Sequence, residues 1–190
     1  MKLSSKSTVC DAAIAVGSTL NQRGNTAVLT GGACVAIYTD GSYVSKDADF
    51  VIRGRVRQAA LDEALGSLGF SRHGDRYVHP SIEFYVEFPP GPLAIGADLA
   101  ITPVELSRGG NTALAISPTD SCRDRLAAFY DWQDRQSLEL AVRIARHQQV
   151  DLELIRRWSE TGGRLDEYQE FLKALRLART ARARKPERRS

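Results

Sequence analysis

The sequence predicts an α+β fold: a mixed β-sheet flanked by helices over residues 1–116, followed by a C-terminal helical bundle. Three observations predict it. The first 116 residues interleave short apolar runs of strand character with helical stripes. From Ser117 onward the apolar residues recur only at helical spacing. Turn signals at Asp40-Gly41, Gly69, Pro89-Pro90-Gly91-Pro92 and Gly109-Gly110 cut the first part into short elements. The chain therefore reads as an α/β core (1–116), a helical region (117–178) and a basic, unstructured tail (179–190).

Residues 6–22 read as a helix capped by Ser7 or Thr8, with Val9, Ala12, Ala13, Val16 and Leu20 as its apolar stripe. Thr26–Thr30 is a buried strand, and Gly31–Tyr38 a short apolar helix in which Cys34 is a small core residue. After the turn Asp40-Gly41-Ser42, a strand is expected over Tyr43-Val44 and Ala48–Ile52. Residues 55–68 form an amphipathic helix stopped by Gly69. Phe70–Arg72 and Tyr77–His79 make a hairpin around the turn His73–Arg76. The strand Ile82–Phe88 alternates: Ile82, Phe84, Val86 and Phe88 face one way, Glu83, Tyr85 and Glu87 the other. Two more strands, Leu99–Leu106 and Thr112–Ile116, flank the turn Arg108–Asn111. Helices follow from Ser117-Pro118 to about Trp132, over Arg135–His147 and Asp151–Glu160, and from Asp166 to about Arg179.

A chain of 190 residues, 43% apolar and 26% charged, can bury one real core. The net charge of +3 hides an asymmetry, because the tail carries Arg179, Arg182, Arg184, Lys185, Arg188 and Arg189 against Glu187 alone. Cys10, Cys34 and Cys122 show no C-x-x-C spacing, which argues against a disulfide framework or zinc site and suits a reducing compartment. No apolar run is long enough to span a bilayer, and the polar N-terminus lacks a signal-peptide pattern. A cytoplasmic protein without a membrane partner is expected.

The stretch Thr30–Phe50 concentrates the chemistry. Gly31-Gly32 follows a β-rich run, offering free backbone N–H groups at a helix start where phosphate can approach. Asp47 and Asp49 stand two apart on a strand, so they share a face and repel. A divalent cation is the usual compensation, and Mg²⁺ favours carboxylates plus substrate phosphates. This order of strand, Gly-Gly, spacer (Ala33–Lys46) and Asp-x-Asp strand resembles the nucleotidyltransferases of the DNA polymerase β superfamily. Ser45, before Lys46-Asp47-Ala48-Asp49, also resembles the Ser-x-Asp-x-Asp form of AbiEii-type minimal nucleotidyltransferases, many of them toxins of toxin–antitoxin pairs. The motif covers Thr30–Phe50, with weaker likeness to about residue 140.

The resemblance implies a nucleotidyltransferase-type sheet and a set of roles. Asp47, Asp49 and a third carboxylate would be catalytic and hold Mg²⁺ or Mn²⁺. Glu87 is the third acid, with Glu83 in reserve. Gly31, Gly32 and Ser45 would contact the triphosphate, with Lys46 adjacent in sequence. Arg125 stands where the AbiEii-type pattern has a phosphate-binding Lys, and Asp134 matches the acid that opens the next helix. The implied reaction transfers a nucleoside monophosphate from a nucleoside triphosphate to an acceptor hydroxyl. The implied acceptor is RNA, at the 3′ end of tRNA, and a toxin role would bring a cognate antitoxin protein. Nucleotidylation of a protein or small molecule, and a non-catalytic nucleotide- or RNA-binding module, are the alternatives.

Overall fold

Thr8 starts the first helix with a capping box. Its hydroxyl accepts from the Asp11 N–H at 3.2 Å, and the Asp11 carboxylate accepts from the Thr8 N–H at 2.8 Å. The helix, α1, spans Val9–Gln22 rather than beginning at residue 6. The computed structural model describes residues 3–183. It divides into two compact units, Met1–Ser117 and Pro118–Ser190.

In the first unit, β1 (Thr26–Thr30) leads directly into α2 (Gly31–Tyr38), and β2 (Asp47–Arg53) returns antiparallel to β1. Then come α3 (Gln58–Gly66), β3 (Ser71–His73), β4 (Arg76–Val78), β5 (Tyr85–Glu87), β6 (Val104–Arg108) and β7 (Asn111–Ala115). The seven strands form one mixed sheet in the order β3-β4-β5-β2-β1-β7-β6. The β2–β5 and β1–β7 pairs are parallel, and the other neighbours are antiparallel. This is the α+β, mixed-sheet class read from the sequence.

The centre of the sheet is apolar because Ala27, Val28 and Leu29 are fully buried. Helix α1 lies close over β7 because Gly17 lacks a side chain: a Cβ there would meet the Ala113 Cβ at 2.6 Å. Phe50, Leu20 and Val16 fill this layer, each stabilising the fold by about 2 kcal/mol on burial. The Cys34 sulfur, buried, points at the Leu29 carbonyl at 3.3 Å, so Cys34 is the expected core residue.

Several elements are shorter than the apolar pattern suggests. Tyr43-Val44 stays outside β2, and β5 keeps only Tyr85–Glu87 of the expected Ile82–Phe88. Ladder partners set these limits: β5 pairs with Asp47–Asp49 on one side and with Arg76 and Tyr77 on the other. Strand β6 begins only after Pro103, which donates no ladder hydrogen bond. Helix α3 loses a turn at its start because Arg57 takes an extended backbone at the cap.

The second unit holds α4 (Pro118–Trp132), α5 (Arg135–His147), α6 (Leu152–Thr161) and α7 (Leu165–Ala183). Asp134 caps α5 by accepting from the Gln136 N–H at 2.9 Å, and Asp151 caps α6 at Leu154 N–H, 2.9 Å. Gln133 at φ +53° makes the tight break between α4 and α5. Phe129, Leu126, Ile144, Ile155, Phe171 and Leu175 form the core. Trp158 stacks on Tyr130 at 5.5 Å and carries the Arg123 guanidinium 5.0 Å from its ring, a packing role. Helix α7 runs on to Ala183, so the basic segment expected to be unstructured from residue 179 is helical over its first residues. Its remainder, 184–190, lies outside the described residues. No described helix is long and apolar enough to cross a membrane.

Candidate active site

The site forms where β1 ends and β2 begins. Thr30 stands opposite Asp49 in the ladder, and its hydroxyl donates to the Asp49 carbonyl at 3.3 Å. The chain then turns into α2 through Gly31 at φ +62°, a conformation costly for any side chain but glycine's. A Cβ at Gly31 would overlap Asp49 Oδ2 and lie 3.3 Å from its Cγ. A Cβ at Gly32 would overlap Ser45 Oγ and lie 3.5 Å from Asp47 Oδ1. The buried Ser45 hydroxyl donates to Asp47 Oδ1 at 2.8 Å. Both carboxylates therefore press against bare backbone in the first turn of α2.

Register then assembles a row. Glu87 stands opposite Asp49, and Tyr85 opposite Asp47. Arg76 stands opposite Glu87. Directly opposed residues share a sheet face, so Arg76, Glu87, Asp49 and Thr30 line up across four strands. Tyr85 and Asp47 form the next row. Ala48, Phe50 and Val86 are fully buried on the other face. Lys46 is exposed and falls on the opposite parity from the acids, while its carbonyl accepts the Tyr85 N–H at 3.1 Å.

The charges of this face interact. Arg76 Nε lies 4.0 Å from Glu87 Oε1, and its guanidinium sits 4.7 Å from the centre of the Tyr85 ring. Burial, then the Asp47 and Glu87 carboxylates, raise the Tyr85 hydroxyl above the ordinary phenol pKa, with Arg76 opposing them.

Asp47 and Asp49 suit a hard divalent cation: two carboxylates on one strand face, packed against the side-chain-free start of α2. Glu87, the expected third acid, lies on the strand beside Asp47 and Asp49. Among the described residues no three His, Cys, Asp or Glu side chains come together closely enough to hold a metal ion. Glu87 shares the face but lies beside Arg76. Glu83, the reserve acid, is exposed, precedes β5 and is outside the row. It lines a cleft of about 880 Å³ that also reaches Ser45, with Ile37, Tyr43, Val44, Phe84 and Leu106 among its walls.

Arg125 and Asp134 belong to the second unit. Arg125 Nη2 is 2.5 Å from Asp124 Oδ2. The Ser137 hydroxyl's hydrogen bond chiefly lowers the Asp134 pKa, and the nearby Arg125 charge adds to it. The structure thus brings these two together.

Tyr85 and Arg76 were not among the sequence-read site residues. Alternation along β5 already put Tyr85 on the Glu87 face. Arg76 carried no such signal, because it was read as a turn residue and its place opposite Glu87 depends on strand pairing.

No protein-family model and no curated protein matches the chain. Among solved structures it is similar to an antigenic nucleotidyltransferase-like protein from Paracoccidioides brasiliensis, at 19% identity and a TM-score of 0.58, over 75% of this chain and 78% of that one. It is also similar to the antibiotic-resistance factor ANT(2'')-Ia, at 14% identity and a TM-score of 0.46, over 90% of this chain and 92% of that one. The first likeness shows the fold, which is nucleotidyltransferase-like.

Proposed function

We propose that this chain is a nucleotidyltransferase of the AbiEii type. It would move a nucleoside monophosphate from a nucleoside triphosphate to the terminal hydroxyl of RNA, at the tRNA 3′ end, as the toxin partner of an antitoxin protein. The observation that carries the transfer chemistry is the contact of Asp49, Asp47 and Ser45 with the bare Gly31-Gly32 backbone. The glycines bring two like charges to the start of α2, where a cation would offset the acids and the helix N-terminus favours an anionic ligand. The RNA end of the proposal is supported by the basic character of α7 and the residues after it, since Lys and Arg contacts to phosphate supply non-specific affinity.

Asp47 and Asp49 would hold a Mg²⁺ or Mn²⁺ ion, and Glu87, on the neighbouring strand of the same face, would serve as the third acid. The ion, when bound, supplies charge neutralisation on the triphosphate and polarisation of its phosphorus. The backbone N–H groups of Gly31 and Gly32 orient the triphosphate, and Ser45 holds Asp47 in place. Glu87, one strand beyond Asp49, takes the proton from the acceptor hydroxyl. The acceptor oxygen bonds to the α-phosphorus as the bond to the bridging oxygen breaks, and pyrophosphate leaves. Arg125, with Asp134 near it, is proposed as a nucleotide-phosphate contact on the resemblance to the AbiEii-type pattern. Arg125→Ala is expected to weaken nucleotide binding about tenfold, as removal of one charged hydrogen bond does. Calorimetry with each triphosphate checks it, and an unchanged Kd would return Arg125 to its pairing with Asp124.

The deciding experiment incubates the purified protein with Mg²⁺, total cellular RNA and each α-³²P nucleoside triphosphate, with Asp47→Ala as control. Label in a tRNA-sized band with the wild type alone is the expected result. Label in a protein band would replace the RNA acceptor. A small-molecule acceptor is the second reading, favoured by the cleft that reaches Ser45. Label entering neither polymer, with pyrophosphate still released, would select it.

A further inference from the structure

We infer that Arg76, supported on the Tyr85 ring, is the residue that recognises the acceptor, by binding the phosphodiester next to the attacking hydroxyl. The inference rests on the transfer reading above, in which Glu87 stands beside the acceptor. It deepens that reading by specifying an anionic acceptor strand.

The argument is one of order along the row. The row has a donor end, where Thr30 runs into the Gly31-Gly32 cradle against Asp49. Glu87 lies one strand beyond Asp49, and Arg76 one strand beyond Glu87. Neighbouring strands are about 4.8 Å apart, so Arg76 stands about 10 Å from the Asp49 strand. A triphosphate seated against α2 has its oxygens at the other end of the row. Arg76 is thus placed for the second substrate.

Its surroundings suit a ligand contact. The Arg76 side chain is 48% exposed, yet it is not loose. The flat guanidinium lies 4.7 Å from the Tyr85 ring centre, an arrangement that holds its plane while leaving donors outward. Its carboxylate neighbours, Glu87 and Asp75, both sit at 4.0 Å, longer than a hydrogen bond. The guanidinium therefore keeps donors for a phosphate. A nucleotide whose 3′-hydroxyl meets Glu87 carries its own 5′-phosphodiester on the far side of its sugar, away from the donor end. A small polyol acceptor has no such group and would gain nothing from Arg76.

The test measures binding and transfer separately. A fluorescein-labelled single-stranded 12-nucleotide RNA with a free 3′-hydroxyl is titrated into wild type, Arg76→Ala and Arg76→Lys, and triphosphate affinity is measured by calorimetry on each. Arg76→Ala is expected to weaken RNA binding about 10- to 30-fold, the loss of a charged hydrogen bond to phosphate, with triphosphate affinity unchanged. Arg76→Lys recovers part of the loss, because it keeps the charge and loses the fork. In turnover, the Arg76→Ala defect falls on KM for the RNA and not on KM for the triphosphate. RNA affinity within twofold of wild type in Arg76→Ala, or no RNA binding by the wild type, overturns the inference. So does an equal loss of triphosphate affinity, which would assign Arg76 to the donor end. Arg76-dependent RNA binding without label transfer would leave this contact standing and remove the transferase reading instead.

Discussion

Asp49→Asn is expected to lower nucleotidyl transfer about a thousandfold while leaving the fold intact or slightly more stable. The rate term follows from chemistry. In the proposed reaction, loss of a carboxylate that would hold the divalent ion removes several kcal/mol of charge stabilisation, and about 4 kcal/mol corresponds to about three orders of magnitude. The stability term has the opposite sign. Asp47 and Asp49 stand two apart on one face, so the unliganded protein carries their repulsion. Asn keeps the shape and removes one charge. Thermal unfolding with and without Mg²⁺ plus triphosphate separates the two effects. The wild type gains stability on adding both ligands, by mass action, and the variant gains much less. Equal ligand stabilisation of the two proteins would remove the metal role from this pair. Wild-type turnover in the variant would remove the mechanism.

Gly31→Ala is expected to reduce transfer at least about 100-fold, the scale of an ångström's displacement of a reacting group. Two effects combine at this position. Alanine at φ +62° costs about 1–2 kcal/mol in backbone strain, a loss of a few degrees in Tm for a chain of this size. The added methyl group also lands on Asp49 Oδ2, so the carboxylate must swing away. The variant is thus predicted to fold with a modest Tm loss and to lose catalysis out of proportion. Gly24→Ala is the comparison, because Gly24 also has positive φ (78°) but nothing within 4 Å of its Cβ position. The two variants should lose similar stability, and only Gly31→Ala should lose activity. Similar activities would mean that the close approach of backbone to acid has no catalytic consequence.

Much of this site is local in sequence and was therefore readable. The glycine pair, Ser45 and the two Asp residues fall within a single β-α-β passage, where strand alternation alone puts Asp47 and Asp49 on one face. The class of the fold was readable for the same reason: helical and strand periods segregate along the chain. Pairing was not. That β5 joins β2 in parallel, and that β4 then brings Arg76 opposite Glu87, depends on contacts between residues far apart in sequence. The expected β5 and β6 are longer than the observed strands, and Tyr43-Val44 falls outside β2, because apolar alternation continues past the point where a ladder partner ends. The basic segment was read as a tail because six Arg and Lys residues dominate its composition. Yet Arg179 donates to the Ala145 carbonyl at 3.2 Å, and the helix continues through it.

The row across the sheet also ties chemistry to arithmetic. Strands β2 and β5 present their odd-numbered residues to the acid face, and β4 presents Arg76 from an even position. Deleting one residue within β5 would turn Val86 outward and bury Glu87, whereas a two-residue change would preserve the parity. Length change in the connections is a different matter. The stretch between α2 and Ser45, and the one between β4 and β5, lie outside the ladder and can grow or shrink by any number without inverting a side chain. Descendants of this chain should therefore vary freely at those two joints while holding strand length modulo two. A library of single-residue insertions, scored for retained transfer, would show that comb-like pattern.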